Sequence, residues 1–367
     1  MCRFFILSLA AMGLAAVTLS SCANSTALRS KTTTAKGLKD YYKGYFPIGV
    51  AVNSHNIHGA EAKLILREFN SITPENDMKM GPIHPRQGYY RFGPTDSIAA
   101  FARTHGLKLR GHNLCWHEQT PYWLFKNAAG QVVSKDSLFA RLQRHIQTVV
   151  NRYHDAVYAW DVVNEAVSDN PSALLRESPW LKICGPSFID SAFWYAHRAD
   201  PSAELYYNDY NVVFPEKAKR IYTLLKGLKD RGVPVTGIGI QAHWSVNQPT
   251  ESELRSTLEM FKSLGLKIQI TELDVSIFPW EKNRRQLLPK DSVVYAGATE
   301  RKQAEFYKMI FKVFRDYKDV ITSVTFWNVS DKDSWLNQYP VAGRKNYPLL
   351  FDRALNKKLA YRMVTEF

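Results

Sequence analysis

The stretch Val157–Asn164, VYAWDVVN, is an apolar run that ends on polar residues, and Glu165 follows it directly. Apolar runs of this kind, without alternating polar residues, are typical of strands that are buried on both faces of a parallel sheet. Seven further runs have the same character. The eight predicted strands are 46–52, 69–74, 107–112, 157–164, 204–208, 235–241, 267–271 and 321–327.

Segments of helical period separate these strands. The clearest is 250–264, which begins with the capping-box pair Thr250 and Glu253 and is followed by Gly265, a common residue just beyond a helix. Eight strands that alternate with helices favour a (β/α)8 TIM barrel over an open, doubly wound sheet. A doubly wound sheet of the dinucleotide-binding type would also have a glycine-rich first turn, which the sequence lacks. We therefore predict an α/β protein with one barrel domain, residues 41–367.

The active site of such a barrel lies at the carboxyl ends of its strands. Two glutamates stand out there, Glu165 after the fourth predicted strand and Glu272 after the seventh. Paired carboxylates can cleave a glycosidic bond, because one protonates the leaving oxygen while the other attacks the anomeric carbon or activates water. The chemistry alone leaves retention and inversion open, and Glu75, Asp161 and Asp274 compete for the two roles.

Seven motifs in order along the chain resemble glycoside hydrolase family 10, the barrel xylanases. The resemblance covers residues from about Phe46 to the C-terminus, and each motif lies at the end of a predicted strand. The motifs are ITPENDMK (72–79), GHNLCWH (111–117), WDVVNEA (160–166), YYNDYN (206–211), GIQAH (239–243), ITELDV (270–275) and FWNVSDKDSWL (326–336).

This resemblance implies a retaining endo-β-1,4-xylanase that acts on xylan and xylo-oligosaccharides without a cofactor or a metal. It implies that Glu165 is the acid/base and Glu272 the nucleophile. His243 is expected to orient the nucleophile and Gln241 to contact the acid/base. Asn164 is expected to bond the sugar 2-hydroxyl, a contact that strengthens in the transition state.

Further positions are implied to bind substrate, with polar groups for the hydroxyls and indoles for the sugar faces. Asp161 and Asp274 are expected to contact the site residues beside them without touching the substrate. The loop 276–294 carries the basic stretch 282–285, which we expect to be solvated; contact with uronic acid branches is the alternative. The implied substrate-binding residues, besides Asn164, Gln241 and His243, are Glu75, Asn76, Lys79, His112, Trp116, Trp327 and Trp335.

The sequence pattern of the N-terminal 22 residues predicts that the protein is exported. Arg3 precedes an apolar run that closes on Leu19-Ser20-Ser21-Cys22, which is typical of a secretory signal and resembles a bacterial lipobox. We predict a lipoprotein signal peptide over 1–21, then lipidated Cys22 and a flexible tether over 22–40. The predicted protein is exported and membrane-anchored through this lipid, on the periplasmic or the cell-surface face.

Composition narrows the remaining classes of function. The chain has 48 basic and 34 acidic residues and a net charge of +14, but its basic residues are spread over helical faces, so we expect no nucleic-acid partner. No histidine pair has the HExxH spacing of a zinc enzyme. Cys115 and Cys184 are either bonded or free. We expect a monomer, and the alternative function is a non-catalytic xylan-binding lipoprotein of the cell surface.

Overall fold

The computed structural model of the chain describes residues 36–281 and 283–367. The predicted signal peptide, the predicted lipidation site Cys22 and the predicted tether up to residue 35 lie outside the described residues. Each of the eight predicted strands is present, although the third and seventh run further than predicted. The strands are β1 (Ile48–Val52), β2 (Ser71–Pro74), β3 (Lys108–Cys115), β4 (Val157–Asn164), β5 (Glu204–Asp209), β6 (Gly237–Ile240), β7 (His243–Ser245), β8 (Lys267–Ser276) and β9 (Ile321–Phe326).

These strands form one closed parallel barrel. Neighbours in sequence pair from β1 to β6, β6 pairs with β8, and β8 pairs with β9, which returns to β1. The short strand β7 continues β6 after Gln241 and Ala242 and pairs with β8. Because β6 and β7 together occupy one strand position, the barrel has eight strand positions, and the sixth is interrupted. The predicted (β/α)8 TIM barrel is confirmed.

Helices cover the outside of the barrel. The predicted capping box is present at α9, where Thr250 Oγ1 accepts from the backbone N–H of Glu253 at 3.3 Å, and the Glu253 carboxylate accepts from Thr250 N at 2.8 Å. The helices are α1 (Leu38–Tyr41), α2 (Gly59–Glu68), α3 (Met80–Ile83), α4 (Gly93–His105), α5 (Lys135–Tyr153), α6 (Pro179–Cys184), α7 (Ser187–Ala199), α8 (Pro215–Asp230), α9 (Glu251–Lys262), α10 (Ala298–Asp316) and α11 (Leu359–Thr365).

The core lies between the strands and the helices. Apolar stripes on α8 and α10, including Ile221, Leu225 and Phe311, are fully buried, as their helical spacing predicts. Full burial of one such side chain stabilises the fold by roughly 1.5–3 kcal/mol. The helical layer thereby fixes the strands whose ends carry the polar residues.

Irregular backbone occurs where the strands meet the barrel mouth. The pairing register of β3 with β4 shifts between His112 and Cys115, and that of β8 with β9 shifts between Ile270 and Leu273. Such bulges change the direction in which a side chain points. Glu165 has a left-handed φ of 55°, a conformation that costs about 1–3 kcal/mol in a residue other than glycine and is concentrated at functional sites.

Two predicted boundaries need correction. Residues 36–40 were assigned to the tether, but Leu38 begins α1, is fully buried and packs into the core, so the folded domain begins before residue 41. Glu272 was placed after the seventh strand, whereas β8 continues to Ser276 and contains it. The reason is that the barrel buries polar residues at this end, so polarity did not mark the end of the strand.

The sequence left open whether the two cysteines of the barrel are bonded. Cys115 and Cys184 are free, buried thiols. Among the described residues, no helix combines the length and the apolar character needed to cross a bilayer.

Candidate active site

Glu165 is held at both its backbone and its carboxylate. Its N–H donates to the carbonyl of Asn208 on the neighbouring strand at 2.8 Å, and its own carbonyl accepts from Arg176 Nε at 3.1 Å. Gln241 Nε2 donates to Oε1 and Trp116 Nε1 donates to Oε2, both at 2.9 Å. The carboxyl group therefore has a fixed orientation before any substrate arrives.

The surroundings of Glu165 favour its protonated form. Burial raises the pKa of Glu165 to about 7, and the nearby carboxylates of Asp209 and Glu272 act in the same direction. The hydrogen bonds from Gln241 and Trp116 act in the opposite direction. A carboxyl group in this state can donate a proton near neutral pH.

Glu272 has the opposite character. It is 5% exposed, and it accepts from Asn208 Nδ2 at 2.8 Å on Oε1 and contacts His243 Nε2 at 3.2 Å through Oε2. Burial alone would raise the pKa of Glu272, but His112, His243 and Lys79 outweigh burial and hold this pKa below its usual value. Glu272 is therefore an ionised carboxylate beside a protonated one.

His243 links Glu272 to a second buried acid. Its Nδ1 lies 2.9 Å from Oδ2 of Asp274, which also accepts from Trp335 Nε1 at 2.8 Å. Burial lowers the pKa of His243, but Asp274 and Glu272 outweigh this effect and raise the pKa to about 10. The imidazole is thus positively charged at neutral pH and donates to a carboxylate on either side.

His112 is fixed from inside the barrel. Its Nδ1 lies 2.8 Å from Oδ2 of the fully buried Asp161, and Arg110 bonds both oxygens of that carboxylate. Burial would raise the pKa of Asp161, but Arg110 and His112 outweigh burial and lower it. Asp161 therefore lies behind His112, where it was expected, and orients that ring.

A basic and acidic pair lies beside the two glutamates. Lys79 Nζ donates to Asn76 Oδ1 at 3.0 Å and lies 5.0 Å from the ring centre of Trp116. Burial lowers the pKa of Lys79, while Glu272, Glu75 and Glu165 oppose that change. Burial also raises the pKa of Glu75 to about 7.

Aromatic rings form the remaining wall. Trp327 packs edge-on against His112 with 5.3 Å between ring centres, and Trp335 packs edge-on against His243 at 4.9 Å. Trp335 also stacks on Tyr339 at 5.4 Å. A small open cavity lies beside these rings, with His243, Trp280, Trp335 and Tyr339 among its lining residues.

The family model described as Glycosyl hydrolase family 10 matches residues 37–367. The chain belongs to glycosyl hydrolase family 10. A beta-1,4-xylanase from Dictyoglomus thermophilum is 48% identical over 332 residues, which cover 90% of each chain. An endo-1,4-beta-xylanase from Geobacillus stearothermophilus is 47% identical and is covered to 96%, against 88% of this chain. The crystal structure of an endo-1,4-beta-xylanase from Caldicellulosiruptor owensensis matches with a TM-score of 0.87 at 46% identity, over 90% of this chain and 100% of that one.

All fourteen catalytic, substrate-binding and supporting residues that the sequence singled out in this family 10 enzyme meet at one barrel mouth or directly behind it. The sequence analysis did not single out Asn208, Asp209, Arg110 or Arg176, which contact them. Asn208 bridges the site, because its Nδ2 donates to Glu272 Oε1 at 2.8 Å and to Asn164 Oδ1 at 2.9 Å. The motif 206–211 contained both Asn208 and Asp209, and its position at the end of the fifth strand was the signal that could have found them.

The basic loop of this glycoside hydrolase agrees with the prediction in part. Arg285 is 26% exposed at its side chain and is held in ion pairs, with Glu281 at 2.5 Å and with Asp291 at 2.6 Å. Arg344 joins the same cluster at 2.6 Å from Glu281. Arg284 is exposed and lies 5.2 Å from the ring centre of Tyr339. Residue 282 lies outside the described residues.

The described part of this family 10 chain has no group of three or more His, Cys, Asp or Glu residues that could hold a metal ion. Two of its buried histidines lie beside carboxylates instead. His112 and His243 each contact a buried aspartate and approach Glu272, so they act on the carboxylates.

Proposed function

We propose that this chain is a retaining endo-β-1,4-xylanase that hydrolyses internal bonds of xylan and of xylo-oligosaccharides. The observation that carries the proposal is the pair of carboxyl groups at one barrel mouth, one with its pKa raised to about 7 and one with its pKa lowered. Two titratable groups whose surroundings separate their pKa values are the usual arrangement for an acid and a nucleophile. The relatives named as xylanases, which match over nearly their whole length, support the substrate.

In the first step, a Glu272 oxygen attacks the anomeric carbon and the glycosidic C–O bond breaks. The proton of Glu165 moves to the leaving oxygen. In the second step, water attacks the anomeric carbon, its proton passes to Glu165, and Glu272 leaves as a carboxylate. Two inversions at one carbon give net retention.

The neighbours of Glu272 suit the role of nucleophile. Asn208 and the His243 imidazolium each contact one of its oxygens, so the carboxylate is oriented and its charge is stabilised. The same contacts assist its departure in the second step, because they stabilise the charge that reappears there. Asn164 lies between the two glutamates, bonded to Asn208 and 3.3 Å from Glu165 Oε1, where it can reach a sugar hydroxyl.

The rest of the mouth suits an uncharged chain of sugars. Trp116, Trp327 and Trp335 offer ring faces or edges, and Asn76 and Lys79 offer hydrogen bonds beside them. Sugars bind by this combination of apolar faces and hydroxyl contacts. The predicted non-catalytic alternative has no support, because the family relatives are named as enzymes and both carboxylates are present.

The purified protein tests this proposal on linear xylan and on xylohexaose. We expect internal cleavage, seen as a rapid fall in polymer length, and proton NMR should detect the β-anomer of the product first. If the α-anomer appeared first, the retaining mechanism would be wrong. If xylan bound without release of reducing ends, the enzymatic proposal would be wrong, and a Glu272→Gln variant provides the inactive reference.

We also propose export and attachment to a membrane through lipidated Cys22, with the barrel acting as a monomer outside the cytoplasm. The apolar run before Leu19-Ser20-Ser21-Cys22 supports this part of the proposal. Metabolic labelling with a radioactive fatty acid in a bacterial host tests it. Label should appear on the full chain and be absent from Cys22→Ser; label on both would contradict the assignment.

A further inference from the structure

Asp209 lies directly behind the acid/base. It ends β5, and the pairing of Asn164 with Asn208 between β4 and β5 places it beside Glu165. Its carbonyl accepts from the backbone N–H of Gln241 at 3.0 Å, so it is also tied to the residue that bonds the Glu165 carboxylate. The side chain is fully buried.

Within residues 36–281 and 283–367, every hydrogen bond or ion pair of the Asp209 carboxylate is to a donor. Oδ1 lies 2.8 Å from Lys217 Nζ and accepts from the N–H of Tyr210 at 2.9 Å. Oδ2 accepts from the hydroxyl of Tyr207 at 2.5 Å. This is a carboxylate that the fold keeps in one place, and it is not open to substrate.

The same cluster holds the chain on both sides of the acid/base. The Tyr207 hydroxyl accepts from the N–H of Val167, two residues after Glu165, at 2.9 Å. Arg176 bonds the carbonyl of Glu165 and donates to the hydroxyl of Tyr210 at 2.7 Å. The backbone around the strained Glu165 is therefore fixed by groups that also surround Asp209.

A second acid balances the charges. Lys217 Nζ lies 3.1 Å from Asp169 as well as 2.8 Å from Asp209, and Arg176 lies 3.3 Å from Asp169. Two cations thus face two aspartates behind the mouth. Lys217 is 5% exposed at its side chain and Asp209 is 0% exposed, so water screens their charges little.

We propose that Asp209 is a positioning residue for the reaction, one that holds Glu165 and keeps its proton in place with a fixed negative charge. The proposal rests on the proposed function, in which Glu165 is the acid/base. Asp209 touches neither substrate nor the reacting atoms, and it acts on them through Glu165.

The fixed charge of Asp209 differs in one respect from that of Glu272. Both raise the pKa of Glu165. Glu272 loses its charge when it forms the ester with the sugar, so Glu165 becomes more acidic in the intermediate and can then act as a base. Asp209 keeps its charge through both steps and therefore sets how far the pKa of Glu165 falls.

Other charged and titratable groups also face this region. Lys79 approaches Glu165 from the segment after β2, and the hydroxyls of Tyr207 and Tyr210 approach from β5 and its end. His117, near Arg176, lines the same cavity as Glu165, and burial lowers its pKa to about 4. Among these groups, only the two carboxylates of Asp209 and Glu272 are leading influences that raise the pKa of Glu165.

The test is the pH dependence of kcat/KM for Asp209→Asn, whose amide has nearly the shape of the carboxylate. On xylohexaose we expect the alkaline limb to move down by about one pH unit, the usual effect of one close like charge. This is about a tenfold loss at pH values above the limb. A dinitrophenyl xylobioside needs little protonation of its leaving group, so its first step should lose far less.

Asp331→Asn is the matched control. Asp331 is also 0% exposed and pairs with a buried lysine, Lys358, at 2.9 Å, and it is not among the leading influences on the pKa of Glu165. It should lower stability without moving the alkaline limb. If the alkaline limb of an active Asp209→Asn enzyme is unmoved, the inference is wrong and the proposed function still stands. If Glu165→Ala is fully active on xylohexaose, both the inference and the proposed function are wrong.

If Asp209→Asn does not fold, as judged by circular dichroism, the double variant Asp209→Asn with Lys217→Met removes the cation left uncompensated. Replacing both members of a buried ion pair costs less stability than removing one. Because the lost cation raises the pKa of Glu165 and the lost anion lowers it, the reference is Lys217→Met alone. The alkaline limb of the double variant should lie below that of Lys217→Met, and equal limbs in these two variants overturn the inference.

Discussion

Trp116 donates its indole N–H to Oε2 of Glu165 over 2.9 Å. A ring expected to stack on a sugar therefore also orients the proton donor. The hydrogen bond lowers the pKa of Glu165 and so partly offsets the effect of burial. Binding and proton transfer are coupled in this one side chain, and the two contributions can be separated by substitution.

We expect Trp116→Phe to keep an aromatic face and lose the donor. The pKa of Glu165 should rise, the alkaline limb of kcat/KM should move to higher pH, and kcat should fall more than KM rises. Trp116→Ala also loses the face, so KM should rise as well. Steady-state kinetics on xylohexaose from pH 5 to 9 check this, and an identical limb in Trp116→Phe and the wild type would contradict it.

Glu165→Ala and Glu272→Ala should fail in different ways. Loss of the acid should lower kcat on xylan by about 10²–10⁴, the usual contribution of a general acid, but should largely spare the first step on a dinitrophenyl xylobioside. Loss of the nucleophile should abolish turnover of both substrates. A burst of dinitrophenol followed by slow turnover is the expected record for Glu165→Ala; normal hydrolysis of unactivated xylan by that variant would refute the assignment.

The barrel was predictable from sequence because each strand is a short apolar run. The run before Glu165 was predicted to the residue, Val157–Asn164. The strand that carries Glu272 was cut short by five residues, since buried polar residues such as Thr271 and Asp274 occupy its last part. Polarity marks the end of a strand only where the polar residues face water.

The supporting residues could not be predicted in the same way. Arg110 and Asp161 are separated by 51 positions and meet only because the barrel closes. Asp209 follows Asn208 in a motif that was noticed, but strand alternation turns the two side chains to opposite faces. Which face contacts the acid/base depends on the register between β4 and β5, and a single sequence does not contain that register.

Asp274→Asn should move the acid limb of the pH dependence of kcat/KM. The Asp274 carboxylate is the main charge that raises the pKa of His243, and the imidazolium in turn lowers the pKa of Glu272. Without it, His243 loses its proton at lower pH and Glu272 stays protonated to higher pH. Because the nucleophile must be ionised, the acid limb of kcat/KM should move up by about one pH unit.

The measurement for Asp274→Asn is kcat/KM on the dinitrophenyl substrate, which reports the nucleophile without the demand for an acid. Trp335→Phe is a useful comparison, because it removes the indole donor to Asp274 and leaves the charge. Its acid limb should move less than that of Asp274→Asn. An acid limb at the wild-type pH in Asp274→Asn would show that this aspartate does not act through His243.

A pair of buried histidines away from the barrel mouth should make stability depend on pH. His84 Nδ1 lies 3.2 Å from His145 Nδ1, and the His84 ring stacks on Tyr90 at 3.8 Å. Both Nε2 atoms are buried without a hydrogen-bond partner among the described residues. Burial lowers the pKa of His84 to about 4 and that of His145 to about 3, so the folded protein resists protonation that the unfolded chain accepts near pH 6.5.

The stability contributed by this pair is therefore fully present above about pH 6.5 and is lost as the pH falls toward 4; for His84 the loss is about 3 kcal/mol. Urea unfolding at pH 7 and pH 4.5 measures it. His145→Phe keeps a ring in the stack and removes one titrating group, so its free energy of unfolding should fall less over this range than that of the wild type. His154→Gln, at an exposed site just after the same helix, should behave as the wild type. Carboxylates with a lowered pKa, such as Asp96, also make the fold less stable in acid, but they do so equally in all three proteins. If His145→Phe lost as much stability as the wild type between pH 7 and pH 4.5, the buried histidine pair would not be the cause of that loss.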